Sequence, residues 1–334
     1  MATTRLTPTV SIYARRVLPN HWDGVAFVLI IALFALAGYA ARQMTVPLSV
    51  ATASPVSLDP GRLPDYALRT TLRMLLALLA SLLFTFTYAT LAAKVRRAEV
   101  LLVPLLDILQ SVPILGFISV TIVAFMALFP GSLLGAELAA IFAIFTSQAW
   151  NMAFSFYQSL RTVPTELIEA AESFRLSPWM RFWQLEVPFG MPALIWNMMM
   201  SMSGGWFFVV ASESISVGPT TVALPGVGSY IALAIEQKNL TAIGWAIATM
   251  LIVILAYDQL IFRPLVAWVD RFRVEQEPGV RVPDSWALTM MRRSRLIQAA
   301  TVAFHAAVMF TSRAVKRRDD EPLHERDDKP RRSL

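Results

Sequence analysis

The sequence contains no cysteine among its 334 residues, so neither a disulfide nor a thiolate metal site holds the protein together. Charge is also scarce: Asp, Glu, Lys and Arg make up 16% of the chain against 56% hydrophobic residues, and the mean hydropathy is +0.56. Disorder needs the opposite balance, and an ordinary soluble domain carries more charge. The three histidines, His21, His305 and His324, all lie outside the apolar region. No metal, cofactor or catalytic site is therefore expected. No Gly-x-x-x-x-Gly-Lys-Ser/Thr loop occurs, which excludes ATP binding of the P-loop kind by these residues. The net charge of +6 does not point to nucleic acid, because fifteen of the 29 basic residues lie from Arg263 onward. A cationic flank beside anionic membrane lipid accounts for it.

What the chain has in abundance is long uncharged runs. They cover residues 24–41, 74–93, 108–136, 138–160, 187–212 and 240–257, each about 18 residues or longer, the length of a spanning candidate. The third and fifth are punctuated by Phe129-Pro130-Gly131 and by Pro188 and Pro192. The expectation is an all-α polytopic membrane protein with six transmembrane helices. The opening 23 residues show no cleavable leader. Basic residues decide orientation. Arg5, Arg15, Arg16, Lys94, Arg96, Arg97, Arg161, Arg175 and Arg181 fall on one side, and Arg42, Arg62 and Lys238 on the other. Nine against three places both termini inside. Arg69 and Arg73, one turn apart at the start of the second run, are expected to snorkel to the outer interface.

Five segments follow from this reading: a cytoplasmic arm (1–23), the first span with an outer loop (24–65), a core of five spans (66–262), a cytoplasmic or interfacial segment (263–312) and a charged, disordered tail (313–334). Within the core, the loop 161–187 is far longer than a connection between two spans needs. Thr165 is placed to cap a short helix on which Leu167, Ala170, Ala171 and Phe174 share a face, and Ser177-Pro178 to open a second helix striped by Trp179, Phe182 and Trp183.

Glu169-Ala170-Ala171, followed by Leu185-Glu186-Val187-Pro188, resembles the EAA loop of the membrane subunits of bacterial ABC importers: Glu-Ala-Ala, three residues, Gly, nine residues, Ile, any residue, Leu-Pro. The spacing fits throughout, and Arg175 stands where the pattern has Gly, a turn position at which positive φ disfavours a side chain by about 1 kcal/mol. Residues 105–113, LLDILQSVP, with Gln148-Ala-Trp-Asn151, are similar to the nitrate, taurine and sulfonate branch, and most resemble the N-terminal half of permeases that fuse two six-span halves. The resemblance implies a type I ABC importer permease fold with a cytoplasmic coupling helix and no catalytic activity of its own. It further implies a separate cytoplasmic ATPase that grips Glu169, Ala170, Ala171, Leu167 and Phe174, with Arg175 and Pro188 shaping the loop. The remaining implied partners are a second permease half and an extracytoplasmic solute-binding protein. The implied cargo is a small, anionic, nitrate- or sulfonate-like solute.

Polar groups inside the spans are expensive and mark either a solute path or helix-to-helix hydrogen bonds. Gln110 and Ser111 precede Pro113, where a helix break is expected; Gln148 and Asn151 lie three apart; Asn197, Ser201 and Gly204 recur at helical spacing. Asp107, about 12 Å along a helix from Glu99, is placed to pair with a basic group such as Arg263. Asp258 belongs at the inner interface, and Glu213 is either an outer gate or an exposed rim carboxylate. Met198, Met199, Met200 and Met202 read as a packing surface, and Gly204-Gly205 as a close helix approach. Two other functions remain open at this point. An ion-coupled secondary transporter calls for an inverted repeat, of which the sequence shows no sign; a non-transporting membrane scaffold fits a truncated half.

Overall fold

The computed structural model describes residues 56–112, 114–217 and 220–272, together with a few positions between 31 and 47. The first expected span and everything after 272, including the interfacial segment and the tail, lie outside the described residues. So does Pro113.

The chain enters its first long helix through a 3-10 turn, Pro60–Arg62, whose N-cap Asp59 accepts from Gly61 N at 3.0 Å. Helix α1 (Leu63–Lys94) has Pro64 in its first turn, where a missing N–H matters least. It ends at Val95, an extended residue, and α2 (Arg96–Ser111) folds back along it, the Tyr88 hydroxyl donating to Leu102 O at 2.7 Å. At Val112 the backbone is extended, as a residue before proline must be, and α3 (Ile114–Leu128) starts afresh. The break expected near Pro113 is therefore present. Gly131, with φ of 75°, turns the chain into α4 (Leu134–Arg161). The third apolar run is thus two helices and a turn, with the fourth helix starting four residues before its run.

After α4 come α5 (Thr165–Ser173), then α6 (Pro178–Arg181), a π turn at Phe182–Glu186, and α7 (Val187–Glu213). The last three form one unbroken helix from Pro178 to Glu213. The expected second helix of the loop is thus the lower end of the next span. Its π turn closes with Val187 N donating to Phe182 O, which loosens the ladder beside Pro188, a residue with no N–H to give. The same device recurs where α9 (Leu240–Tyr257) continues through a π turn at Asp258–Phe262 into α10 (Arg263–Val269): Arg263 N donates to Asp258 O and Pro264 follows. Pro264 is absorbed without ending the helix, which runs from Leu240 to Val269.

Between α7 and α9 lie an antiparallel hairpin, β1 (Ser214–Val217) with β2 (Thr220–Ala223), and α8 (Val227–Glu236). None of the expected spans falls on α8. It packs Val227, Tyr230 and Ala234 against Leu63 and Tyr66 of α1 and Ala242 and Ala246 of α9. Four helices among the described residues are long and apolar enough to cross a membrane: Pro60–Lys94, Leu134–Arg161, Pro178–Glu213 and Leu240–Val269. The architecture is that of an all-helical, multi-pass membrane protein, with the short hairpin its one extended element among the described residues. Its main core lies between α1, α4 and α7, where Met74, Ile144, Met152, Phe156, Leu194, Met198 and Met202 are buried. Gly205 allows the approach: a Cβ there would lie 2.7 Å from Gln148 Nε2 and 2.8 Å from Met74 Cε, whereas Gly204 faces open space. Met200 is exposed, so the methionine run is only partly a packing surface.

Candidate functional site: the cytoplasmic loop and two charged clusters

The loop begins at α5, and its N-cap is Pro164; Thr165, expected as the cap, is the first helical residue. The extended Pro164 backbone presents its carbonyl to Leu167 N and Ile168 N at 3.2 and 3.3 Å, so the first turn is satisfied by main chain. At the other end Leu176 N donates to Ala171 O (3.1 Å) and Arg175 N to Glu172 O (2.8 Å), the paired bonds of a Schellman motif. That motif places Arg175 at φ 52°, the left-handed region where the EAA pattern has Gly. Ser177 then caps α6 through Met180 N at 3.3 Å, as its position before Pro178 predicts.

The four residues expected to form one outward face divide. Ala171 is buried (5% exposed) and Leu167 half-buried, while Phe174 is 79% exposed and flanked by exposed Glu169 and Ala170. A nine-residue helix lying on a bundle must turn one side inward, and the small Ala171 is the residue that lets it come close. The surface on offer is therefore Glu169, Ala170 and Phe174. Pro188 sits in the first turn of α7.

Ion pairs fasten this loop to the bundle. Glu186, in the π turn and 4% exposed, receives Lys94 Nζ from the last residue of α1 at 2.5 Å and Arg181 Nε at 3.2 Å. Arg181 also reaches Glu172 at 3.7 Å. On the other leg, Glu99 of α2 accepts from the Tyr157 hydroxyl at 2.6 Å and pairs with Arg161 at 3.6 Å.

At the opposite end of the bundle lies a second cluster, and here the structure corrects the sequence reading. Arg73 does not snorkel to an interface. It is fully buried, its Nε and Nη2 gripping the Glu137 carboxylate at 2.6 and 2.7 Å while Nη1 meets Glu213 at 2.7 Å. Arg69, its neighbour one turn earlier, pairs instead with Asp65 at 3.1 Å. Glu213 is no rim carboxylate: it too is buried, and it accepts from the Thr70 hydroxyl and from Gly228 N, both at 2.7 Å. Thr70 in turn accepts from Val227 N at 3.0 Å, and Arg73 Nη2 donates to Pro225 O at 3.0 Å. The Glu213 carboxylate, held by the guanidinium on one side, also faces the first-turn N–H groups of α8. A Cβ on Gly226 would lie 2.3 Å from that carboxylate, which is why glycine stands there. Glu137 was missed because it separates two apolar runs and so reads as a loop charge. The available signal was that an arginine buried in a run needs an acidic partner at the same depth.

The other polar candidates are not brought together. Gln110 and Ser111 are exposed at the end of α2 and bond locally to Asp107, through its Oδ1 (3.0 Å) and its carbonyl (2.7 Å). Asp107 does not pair with Arg263, which takes Asp258 at 3.5 Å. Gln148 is buried and directs its amide N–H groups at the sulfurs of Met202 (3.4 Å) and Met74 (3.6 Å), joining α4 to α7 and α1. Asn151, three residues on, is exposed. Asn197, half-buried, accepts from the buried Ser201 hydroxyl at 3.4 Å. A cleft of about 430 Å³ lies instead beside the inner end of α4, between Ser155, Gln158, Arg161 and Ala193.

Comparison with known proteins bears on the whole of this region. The family model described as "Binding-protein-dependent transport system inner membrane component" matches residues 85–272. Among curated proteins, the bicarbonate transport system permease protein CmpB of Synechocystis is 24% identical over 140 residues, 42% of this chain and 45% of that one. CmpB of Synechococcus elongatus is 24% identical over 177 residues, 53% of this chain and 57% of that one. The glycine betaine/carnitine transport permease protein GbuB of Listeria monocytogenes is 28% identical over 165 residues, 49% and 52% respectively. The chain thus spans about half the length of the curated relatives it matches.

Proposed function

Because this chain belongs to the family of binding-protein-dependent transport inner-membrane components, we propose that it is the permease subunit of an ATP-binding-cassette importer driven through residues 161–187. The observation that carries the reading is the outward ridge of Glu169, Ala170 and Phe174 on α5, held at a fixed angle by the Schellman turn and anchored by Glu186. A short helix presenting an exposed aromatic beside an acid suits a groove on a separate cytoplasmic ATPase, the helix-in-groove mode of recognition. Nucleotide-driven closure of that ATPase then rocks this bundle against a second permease half, a copy of itself or a related chain. A solute-binding protein docks at the face formed by the hairpin and α8. Gln110, Ser111, Asn151, Asn197 and Ser201 are the polar groups available to line the path.

The solute is a small oxyanion or zwitterion. The relatives are named for bicarbonate and for glycine betaine or carnitine, solutes that share a planar CO₂-type anionic group. Reconstitution with the ATPase and binding protein, followed by uptake of radiolabelled bicarbonate and of radiolabelled glycine betaine, tests the reading. ATP-dependent accumulation of either is expected, falling at least tenfold in Glu169→Arg. Uptake driven by an ion gradient without the ATPase would refute it.

A further inference from the structure

The two legs of the cytoplasmic loop are the inner end of α4 and the inner start of the α6–α7 helix. Between them lies the apex of the α1–α2 hairpin, the bend at Val95. Each side of that apex is tied to a different leg. Lys94, the last residue of α1, pairs with Glu186 on the α7 leg; Glu99, in the first turn of α2, bonds Tyr157 and Arg161 on the α4 leg. Glu186 is nearly inaccessible, and its Oε2 has no hydrogen-bond partner among the described residues, so this carboxylate depends on the two cations at its Oε1. The hairpin itself is closed by Tyr88 and Leu102, which makes α1 and α2 move together near the bend.

We propose that the α1–α2 apex is a tie-bar between the two legs, and that Lys94 and Glu99 are positioning residues that carry displacement of the cytoplasmic loop to α2. The inference rests on the proposed function above. Its physical basis is connectivity: covalent continuity takes the loop's motion only into α4 and α7, whereas α2, which contributes just one buried side chain, Leu106, to the packing, is joined to the legs through Glu99 and, across the Val95 bend, through Lys94. Helix α2 also carries Gln110 and Ser111 to the break before α3. Removing the tie leaves the ATPase engaged and α2 behind.

The absence of cysteine makes the test direct, since a thiol introduced at residue 110 is the chain's only one. The full chain, assembled with its ATPase in nanodiscs, is labelled at Gln110→Cys by a water-soluble maleimide with and without ATP in a hydrolysis-blocked ATPase. Nucleotide is expected to change the labelling rate at least threefold. Lys94→Met and Glu99→Gln are each expected to reduce that change to below 1.5-fold while ATPase co-purification and its hydrolysis rate stay within twofold. Lys94→Arg, which keeps the charge, retains it. A full nucleotide response in both Lys94→Met and Glu99→Gln overturns the tie-bar and leaves the coupling-loop reading standing. No response in the parent Gln110→Cys chain, or no co-purification of the ATPase, overturns that reading and the tie-bar with it.

Discussion

Replacing Arg73 by methionine isolates the outer cluster, because the two carboxylates it serves differ in what they keep. Glu213 retains Thr70 Oγ1 and Gly228 N, each at 2.7 Å. Glu137 has no side-chain hydrogen bond among the described residues other than the bidentate pair with Arg73. Breaking a buried ion pair from one side destabilises by about 3–5 kcal/mol, since the remaining charge stays desolvated and unpaired. With about 2–4 °C per kcal/mol for a folded unit of this size, the unfolding midpoint falls by about 6–20 °C. The midpoint is read from tryptophan fluorescence during thermal unfolding in detergent. The decisive comparison is Arg73→Met/Glu137→Leu, which removes the orphaned charge and leaves a volume-matched apolar pair. It is expected to return to within about 1 kcal/mol of the parent, since well-packed apolar replacements of buried pairs are often neutral. A single variant that loses less than about 3 °C, or a double variant no more stable than the single, refutes the claim that Arg73 compensates Glu137.

Other outcomes follow from close approaches and backbone angles. Gly226→Ala drives a Cβ to 2.3 Å from the Glu213 carboxylate and lowers the unfolding midpoint by the equivalent of about 1–3 kcal/mol; an unchanged midpoint would show that the α8 turn has room to relax. Gly205→Val meets Gln148 and Met74 and destabilises, whereas Gly204→Ala meets nothing within 4 Å and stabilises by up to about 1 kcal/mol; equal effects at the two positions would contradict the α4–α7 contact. At Arg175, with φ of 52°, glycine is tolerated and valine disfavoured by about 1–2 kcal/mol, read as faster hydrogen exchange at Leu176 N, which bonds Ala171 O at 3.1 Å.

What the sequence disclosed was whatever depends on local composition. The apolar runs located the four long helices, Val112-Pro113 gave a break, and Ser177-Pro178 gave a helix start, each because a few neighbouring residues decide the outcome. The backbone of the loop 161–187 was legible at the same level, down to Arg175, whose φ is positive. Its orientation was not: that Ala171 turns inward while Phe174 turns out depends on which side of α5 meets the bundle. The Arg73, Glu137 and Glu213 cluster joins residues 64, 76 and 140 positions apart, so no local pattern could assemble it. The hairpin and α8 were hidden because residues 214–235, although uncharged, are interrupted by Gly218-Pro219 and Pro225-Gly226 and so read as turns, not as a span.

The bundle is therefore fastened by charge at both ends, on unequal terms. At the outer end Arg73, Glu137 and Glu213 are buried, and with Thr70 and Gly228 N they satisfy one another. Such a cluster has one low-energy arrangement, and departing from it strands a charge in a dry interior. At the inner end the Lys94 and Arg161 side chains remain 39% and 54% exposed, although Glu186, the partner of Lys94, is itself buried. The Arg161–Glu99 pair, open to water on both sides, is worth only about 0–1 kcal/mol, whereas loss of Lys94 leaves the buried Glu186 with one cation fewer. The charged contacts of the bundle are thus more open to solvent at the loop end than at the end closed by α8.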